Sequence, residues 1–176
     1  MAPENLVFMD ESGVNRAMTR THARSLQGAR AFGTAPRNWG RNVSILGALS
    51  LRGPLECMCV NGATDGRVFL TCLREVLVPQ LWPGAVVVMD NLGAHKVKGV
   101  RELIEAAGAR VLYLPPYSPD FNPIEHAWSK LKNYLRGVAA RTSDALDRAI
   151  SQGLATISAQ DATGFFTHCG YLGRLN

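Results

Sequence analysis

The segment Ala85-Val86-Val87-Val88-Met89-Asp90-Asn91-Leu92-Gly93 is an apolar, β-branched run that stops at an acid. Such a run reads as a short strand buried on both faces. The same pattern opens the chain, where Leu6-Val7-Phe8-Met9 stops at Asp10-Glu11-Ser12-Gly13. Two buried strands, each closed by an aspartate, point to an open α/β sheet, because such sheets take their ligands beyond the carboxyl ends of their strands. Asp10 and Asp90 are therefore expected to meet.

Outward from these strands, Val43 to Leu51 and Leu55 to Val60 read as a hairpin turned by Arg52-Gly53-Pro54. Thr64 to Leu81 carries Val68, Phe69, Cys72, Leu73, Val76 and Leu77 at helical spacing and stops at Trp82-Pro83-Gly84. A helix from about Lys96 to Ala107 precedes a fifth strand, Arg110 to Leu114. Pro115, Pro116, Pro119 and Pro123 then stiffen the approach to a helix over Pro123 to Arg136, whose stripe is Ile124, Ala127, Trp128, Leu131 and Leu135. A last helix is predicted from Ser143 to about Ile157. The order β-β-β-α-β-α-β-α predicts one domain over residues 1–176, a mixed five-stranded sheet flanked by helices.

With 176 residues, 47% of them hydrophobic and 19% charged, the chain has material for one packed core and is no disordered tail. No apolar run approaches the ~20 residues of a membrane helix. The first residues carry no basic region ahead of an apolar stretch, so a cytoplasmic location without membrane contact is expected. Cys57, Cys59, Cys72 and Cys169 form no CxxC pair and read as reduced core thiols, with zinc capture the lesser reading.

Net charge is +5, and its distribution is uneven. From Ser12 to Leu55 there is no acid, while Arg16, Arg20, Arg24, Arg30, Arg37, Arg41 and Arg52 supply seven cations. Guanidinium groups match phosphate oxygens, so this belt suits a nucleic-acid backbone; a solvated basic loop is the plainer account.

Two aspartates at one place repel unless a proton or cation offsets them. Carboxylate oxygens with no His/Cys cluster suit Mg²⁺ or Mn²⁺, and two such ions ~4 Å apart serve phosphodiester displacement. Glu125 is the candidate third ligand. It is equally suited to a capping box, with Asn122 as N-cap and Pro123 at the first helical position. The two readings stand side by side at this level.

Three segments resemble one family. Phe8-Met9-Asp10-Glu11-Ser12-Gly13, Val88-Met89-Asp90-Asn91-Leu92-Gly93-Ala94-His95-Lys96 and Leu114-Pro115-Pro116-Tyr117-Ser118-Pro119-Asp120-Phe121-Asn122-Pro123-Ile124-Glu125-His126-Ala127-Trp128 look like the three motifs of DDE-type transposases of the mariner-like superfamily, in its bacterial insertion-sequence branch. The 34 residues between Asp90 and Glu125 match the family's spacing. The resemblance implies an RNase H-like fold in which Asp10, Asp90 and Glu125 are catalytic and hold two Mg²⁺ or Mn²⁺ ions. It implies cleavage of double-stranded DNA at element ends and transfer of the freed 3′-hydroxyl into target DNA, by a homodimer on DNA acting at a bacterial nucleoid.

Around the triad, Glu11 is either an auxiliary ligand or a loop acid. Asn91 and His95 would orient the second motif's loop or, for His95 with Lys96, touch a phosphate. Trp128 falls in the apolar stripe and reads as core. Family members begin with a helix-turn-helix region that reads the element ends, and its absence here is expected to leave that task to a separate recognition domain. Two other readings share the motifs: a catalytically silent DNA-binding fragment regulating a full-length transposase, and an RNase H-like nuclease.

Overall fold

The computed structural model describes residues 2–173. Its sheet has strands β1 (Leu6–Val14), β2 (Val43–Ser50), β3 (Gly53–Pro54), β4 (Met58–Asn61), β5 (Val86–Met89) and β6 (Arg110–Tyr113). The spatial order is β3-β2-β1-β5-β6, with β4 also on the outer edge of β2. β1 pairs antiparallel with β2 and parallel with β5, which pairs parallel with β6. The sheet is thus mixed, as expected.

Six strands replace the expected five because one is interrupted. Leu49 pairs with Pro54 and Leu46 with Met58, so three residues on the outer strand, 55–57, face two on β2. That extra residue is a β-bulge, bridged by the Leu55 N–H donating to the Ala48 carbonyl at 2.8 Å. Ser50 already pairs with Gly53, so the hairpin turns at Leu51-Arg52, slightly earlier than the sequence suggested. β1 is a larger correction. It runs on to Val14 and does not stop at Met9, because Asp10 to Val14 find antiparallel partners in Gly47 to Val43. Tertiary pairing overrides the loop-like composition of Asp10-Glu11-Ser12-Gly13.

Side chains alternate across the strands, and the core splits accordingly. Leu6, Phe8, Val86 and Val88 face one cluster, closed over by helices α3 (Pro123–Val138), α4 (Ser143–Ala155) and α5 (Ala159–His168). Val7, Met9, Val87 and Met89 face the other, covered by α1 (Gly66–Cys72) and α2 (Val100–Ala106). The Asp65 carboxylate starts α1 by accepting from the Arg67 and Val68 N–H groups. The expected helix to Leu81 continues as a π-helical stretch, Leu73–Leu77, and a 3₁₀ turn, Val78–Gln80. The expected helix from Lys96 is a 3₁₀ turn, Gly93–Lys96, followed by α2 only after Gly99, whose φ of 104° breaks the run.

α5 was not anticipated. Its signal is the Ser158-x-x-Asp161 capping box, in which each side chain accepts from the other residue's backbone N–H. Lys130 on α3 reaches the same Asp161 at 2.6 Å. Among the thiols, Cys72 and Cys169 are buried, Cys57 is half-buried and Cys59 is exposed, so Cys59 is not core. All four are free, and burial lifts Cys57 to about 12 and Cys72 to about 11.

Candidate active site

Register brings the two aspartates together. Leu6 pairs with Val86, Val7 with Val87 and Phe8 with Val88, and continuing that offset sets Asp10 level with Asp90. The alternation puts both on the face that carries α3, whose first turn presents Glu125. The three carboxylates line one cavity of about 520 Å³, together with Asn91, Asn122 and the Leu114–Pro119 loop. Strand parity explains a second result. Glu11 projects from the opposite face and lines a different cavity with Arg41 and Ser44, so it does not join the triad.

Asp10 is the interior member, 7% exposed. Burial raises its pKa from 3.8 to about 7; the Glu11 backbone amide opposes this, and the charges of Glu125 and Asp90 add to it. The indole N–H of Trp128 points at Asp10 and lowers its pKa, without closing a hydrogen bond of ordinary geometry. Trp128 is core, as its stripe position implied, and is also a neighbour of the site. Gly47 makes room for it: a Cβ there would meet the Trp128 ring at 2.8 Å and Cys57 Sγ at 2.5 Å. Gly47 is the β2 residue paired with Asp10.

Asp90 lies just past β5, its side chain 39% exposed. One oxygen accepts from the Leu92 N–H at 3.0 Å. His95 Nδ1 lies 2.6 Å from that same oxygen, with its ring N–H out of line, so the imidazole braces the carboxylate laterally. His95 itself is 0% exposed and lies against Phe69 at 4.4 Å between ring centroids. Buried so, it offers no surface to a phosphate in this structure, and its nearest polar neighbour is the Asp90 carboxylate. Asn91 also orients: its side-chain amide donates to the Leu114 carbonyl, tying the end of β5 to the end of β6.

The sequence left Glu125 undecided between cap and ligand. The Asn122 side chain caps nothing, and its Oδ1 is buried without a partner. No hydrogen bond engages the Glu125 carboxylate among the described residues, so no capping box forms and the exposed side chain is free. Three carboxylates, a carboxamide and an orphaned buried oxygen at one cavity form an all-oxygen donor set suited to a hard divalent cation. Among the described residues no three acidic, His or Cys side chains are already drawn to ligating distance.

Six of the seven belt arginines lie on residues 15–42, an irregular connection between β1 and β2 without helix or strand, and Arg52 lies in the β2–β3 turn over the Trp82 ring. Arg20, Arg24, Arg30, Arg37 and Arg41 are exposed and Arg16 half-buried, and none forms an ion pair among the described residues. Arg141 fixes the base of the connection by donating to the Arg16 and Met18 carbonyls at 2.8 and 3.0 Å. Lys96 is exposed beside the Tyr113 ring. Lys130 is spent on Asp161.

A family model described as DDE superfamily endonuclease matches residues 5–147. The Tc1 transposase of Caenorhabditis elegans is 35% identical over 78 residues, 44% of this chain and 29% of that protein. The Tcb2 transposase of Caenorhabditis briggsae is 36% identical over 114 residues, 61% of this chain and 41% of that protein. The fold matches the Mos1 mariner paired-end complex with Mn at a TM-score of 0.72 and 17% identity, covering 94% of this chain and 52% of that one. The chain thus spans well under half of these curated relatives and about half of that solved one.

Proposed function

The chain belongs to the DDE superfamily of endonucleases, and from that premise we propose that it is the catalytic domain of a Tc1/mariner-type transposase. It would cut double-stranded DNA at element ends and join them to target DNA, with Asp10, Asp90 and Glu125 as its metal-binding carboxylates. The observation that carries this reading is the uncapped Glu125 facing the Asp10 and Asp90 cavity. The relatives matched above are transposases of nematode elements. Placement in the bacterial insertion-sequence branch rests on the wording of the three motifs, and the cytoplasmic, nucleoid-bound setting rests on that placement. No helix of the described residues is long and apolar enough to cross a membrane.

The chain's own groups divide the work. Asp10, held mid-strand by the pairing of β1 with β2, supplies a fixed oxygen donor at the floor. Asp90 is oriented by the Leu92 amide and braced by His95. Glu125 closes the third side from α3. When bound, two Mg²⁺ or Mn²⁺ ions stabilise charge on the attacking and leaving oxygens of an in-line displacement at phosphorus. A carboxyl with its pKa at about 7 must lose its proton to accept a cation, so binding releases a proton and weakens with acidification. The exposed arginines of residues 15–42, with Lys96, supply backbone contacts that neutralise phosphates without reading sequence. Joining two ends falls to a homodimer; the Mn-containing Mos1 relative is itself a paired-end complex.

Calorimetric titration of Mn²⁺ into the chain and into Asp10→Ala, Asp90→Ala and Glu125→Ala tests the reading. Each substitution should weaken binding at least tenfold and abolish Mn²⁺-dependent nicking of supercoiled plasmid. Unchanged affinity in Glu125→Ala would sink the triad, and preferential cleavage of an RNA–DNA hybrid would favour a nuclease.

A further inference from the structure

The cavity that holds the carboxylates has a wall they do not explain. Leu92 and the Pro115-Pro116-Tyr117 segment line it, and this wall is apolar although it opens to solvent. Tyr117 is 103% exposed and touches no core cluster. Its φ is 55°, in the left-handed region that a bulky L side chain rarely adopts. An aromatic ring with no packing role, held on a strained backbone between prolines, is not kept there by the fold's own stability.

We propose that Tyr117 is a stacking platform for the nucleobase next to the reacting phosphodiester, so that the site takes the scissile strand locally unstacked. The inference rests on the endonuclease reading above and specifies how that site holds its substrate. Covalent connectivity requires it: a phosphate at the carboxylates carries a nucleoside on each side, and one must lie along the cavity wall. A cavity of about 520 Å³ exceeds what a phosphate alone fills and lies in the range of small-ligand sites, ~300–1,000 Å³. Negative carboxylates offer a base little, whereas an aromatic face accepts any base without regard to sequence. Pro115, Pro116 and Pro119 cannot donate backbone hydrogen bonds and limit the segment's freedom, which keeps the ring presented and the wall apolar. The ring that stacks is therefore not Trp128, which is 3% exposed.

A forked DNA duplex with 2-aminopurine as its last paired nucleotide, bound in EDTA, is the probe. The parent chain should quench its fluorescence. Tyr117→Ala should lose the quenching, and Tyr117→Phe, which keeps the ring, should retain it. In Mn²⁺, Tyr117→Ala should nick duplex at least tenfold more slowly than the parent, with the loss in kcat exceeding that in KM. Its Mn²⁺ affinity and thermal midpoint should not fall, since Tyr117 touches neither the carboxylates nor the core. If Tyr117→Ala quenches and nicks like the parent, the platform is refuted while the carboxylate reading stands. If Asp90→Ala and Glu125→Ala nick like the parent, the endonuclease reading fails instead, whatever Tyr117 does.

Discussion

Replacing Asp10 by Asn should stabilise the metal-free protein at neutral pH and remove most of its pH dependence between the two relevant pKa values. The carboxyl titrates near 3.8 when unfolded and at about 7 when folded. A carboxyl raised by folding contributes stability that is complete below 3.8 and is lost as the pH climbs through about 7. At ~1.4 kcal/mol per pH unit the loss is ~4 kcal/mol, a ceiling because relaxation around the buried charge reduces it. Only 7% of Asp10 is exposed, so solvent screening removes little of that. Between about pH 5 and about pH 8 roughly 2.6 kcal/mol of that loss occurs, so urea unfolding in EDTA should show the parent midpoint falling by up to about 1 M for a slope of ~2–3 kcal/mol per M. Asp10→Asn should hold its midpoint. Mn²⁺ at ~100 times the parent's dissociation constant should restore ~2.7 kcal/mol to the parent at the higher pH and at least ~1.3 kcal/mol less to the variant. A parent flat across this range, or a variant with the parent's slope, would refute the placement of Asp10 as a buried carboxyl pressed by Glu125 and Asp90.

Other consequences are smaller and independent. Asp161 has the opposite sign: Lys130 first, then the Ser158 backbone and hydroxyl, hold it at about 2, so its contribution is present above 3.8 and lost as the pH falls. Lys130→Ala should cost about 0.5–1 kcal/mol at neutral pH in chemical unfolding, a cost that shrinks in acid. Gly47→Ala should destabilise by ~1–3 kcal/mol and change Trp128 fluorescence, because the new methyl and the ring claim one volume. Tyr117→Gly should raise stability by ~0.5–1 kcal/mol by relieving the left-handed backbone while slowing cleavage, the signature of a residue kept for its ring. In the native protein a thiol reagent should label exposed Cys59 ahead of Cys57 and Cys72, whose burial raises them to about 12 and about 11.

Much of this was legible because its cause is local. Apolar runs ending at Asp10 and Asp90 marked central strands, and the stripe from Ile124 to Leu135 marked α3. What was missed depended on partners far away in the chain. β1 continues to Val14 only because Val43 to Gly47 pair with it, and nothing between Ser12 and Gly13 announces that. The same extension fixes the face of Glu11, so its exclusion from the triad was unreadable until the strand's length was known. Glu125 could not be assigned from its neighbours, since cap and ligand share one local sequence; the unmade Asn122 cap removes the first of those readings. The bulge before Met58 adds one residue without altering the apolar pattern. By contrast, Ser158-x-x-Asp161 was a local signal for α5 that a reader of caps could have used. The strain at Tyr117 belongs to a dihedral angle, which no periodicity encodes.

The antiparallel stretch of β1 beyond its parallel partner makes the three carboxylates mechanically unequal. Asp10 is riveted mid-strand, with ladder bonds to β2 before and after it, whereas Asp90 follows the last residue of β5 and Glu125 sits in a helix's first turn. Any drawing together of the site must therefore come from two jaws closing on a fixed anvil. Amide hydrogens from Met9 to Ser12 should exchange on the timescale of global unfolding, and those from Leu92 to Gly93 and Tyr117 to Phe121 far sooner. How tightly the cavity grips is then set in two loops, which can vary without disturbing the sheet that holds the chain folded.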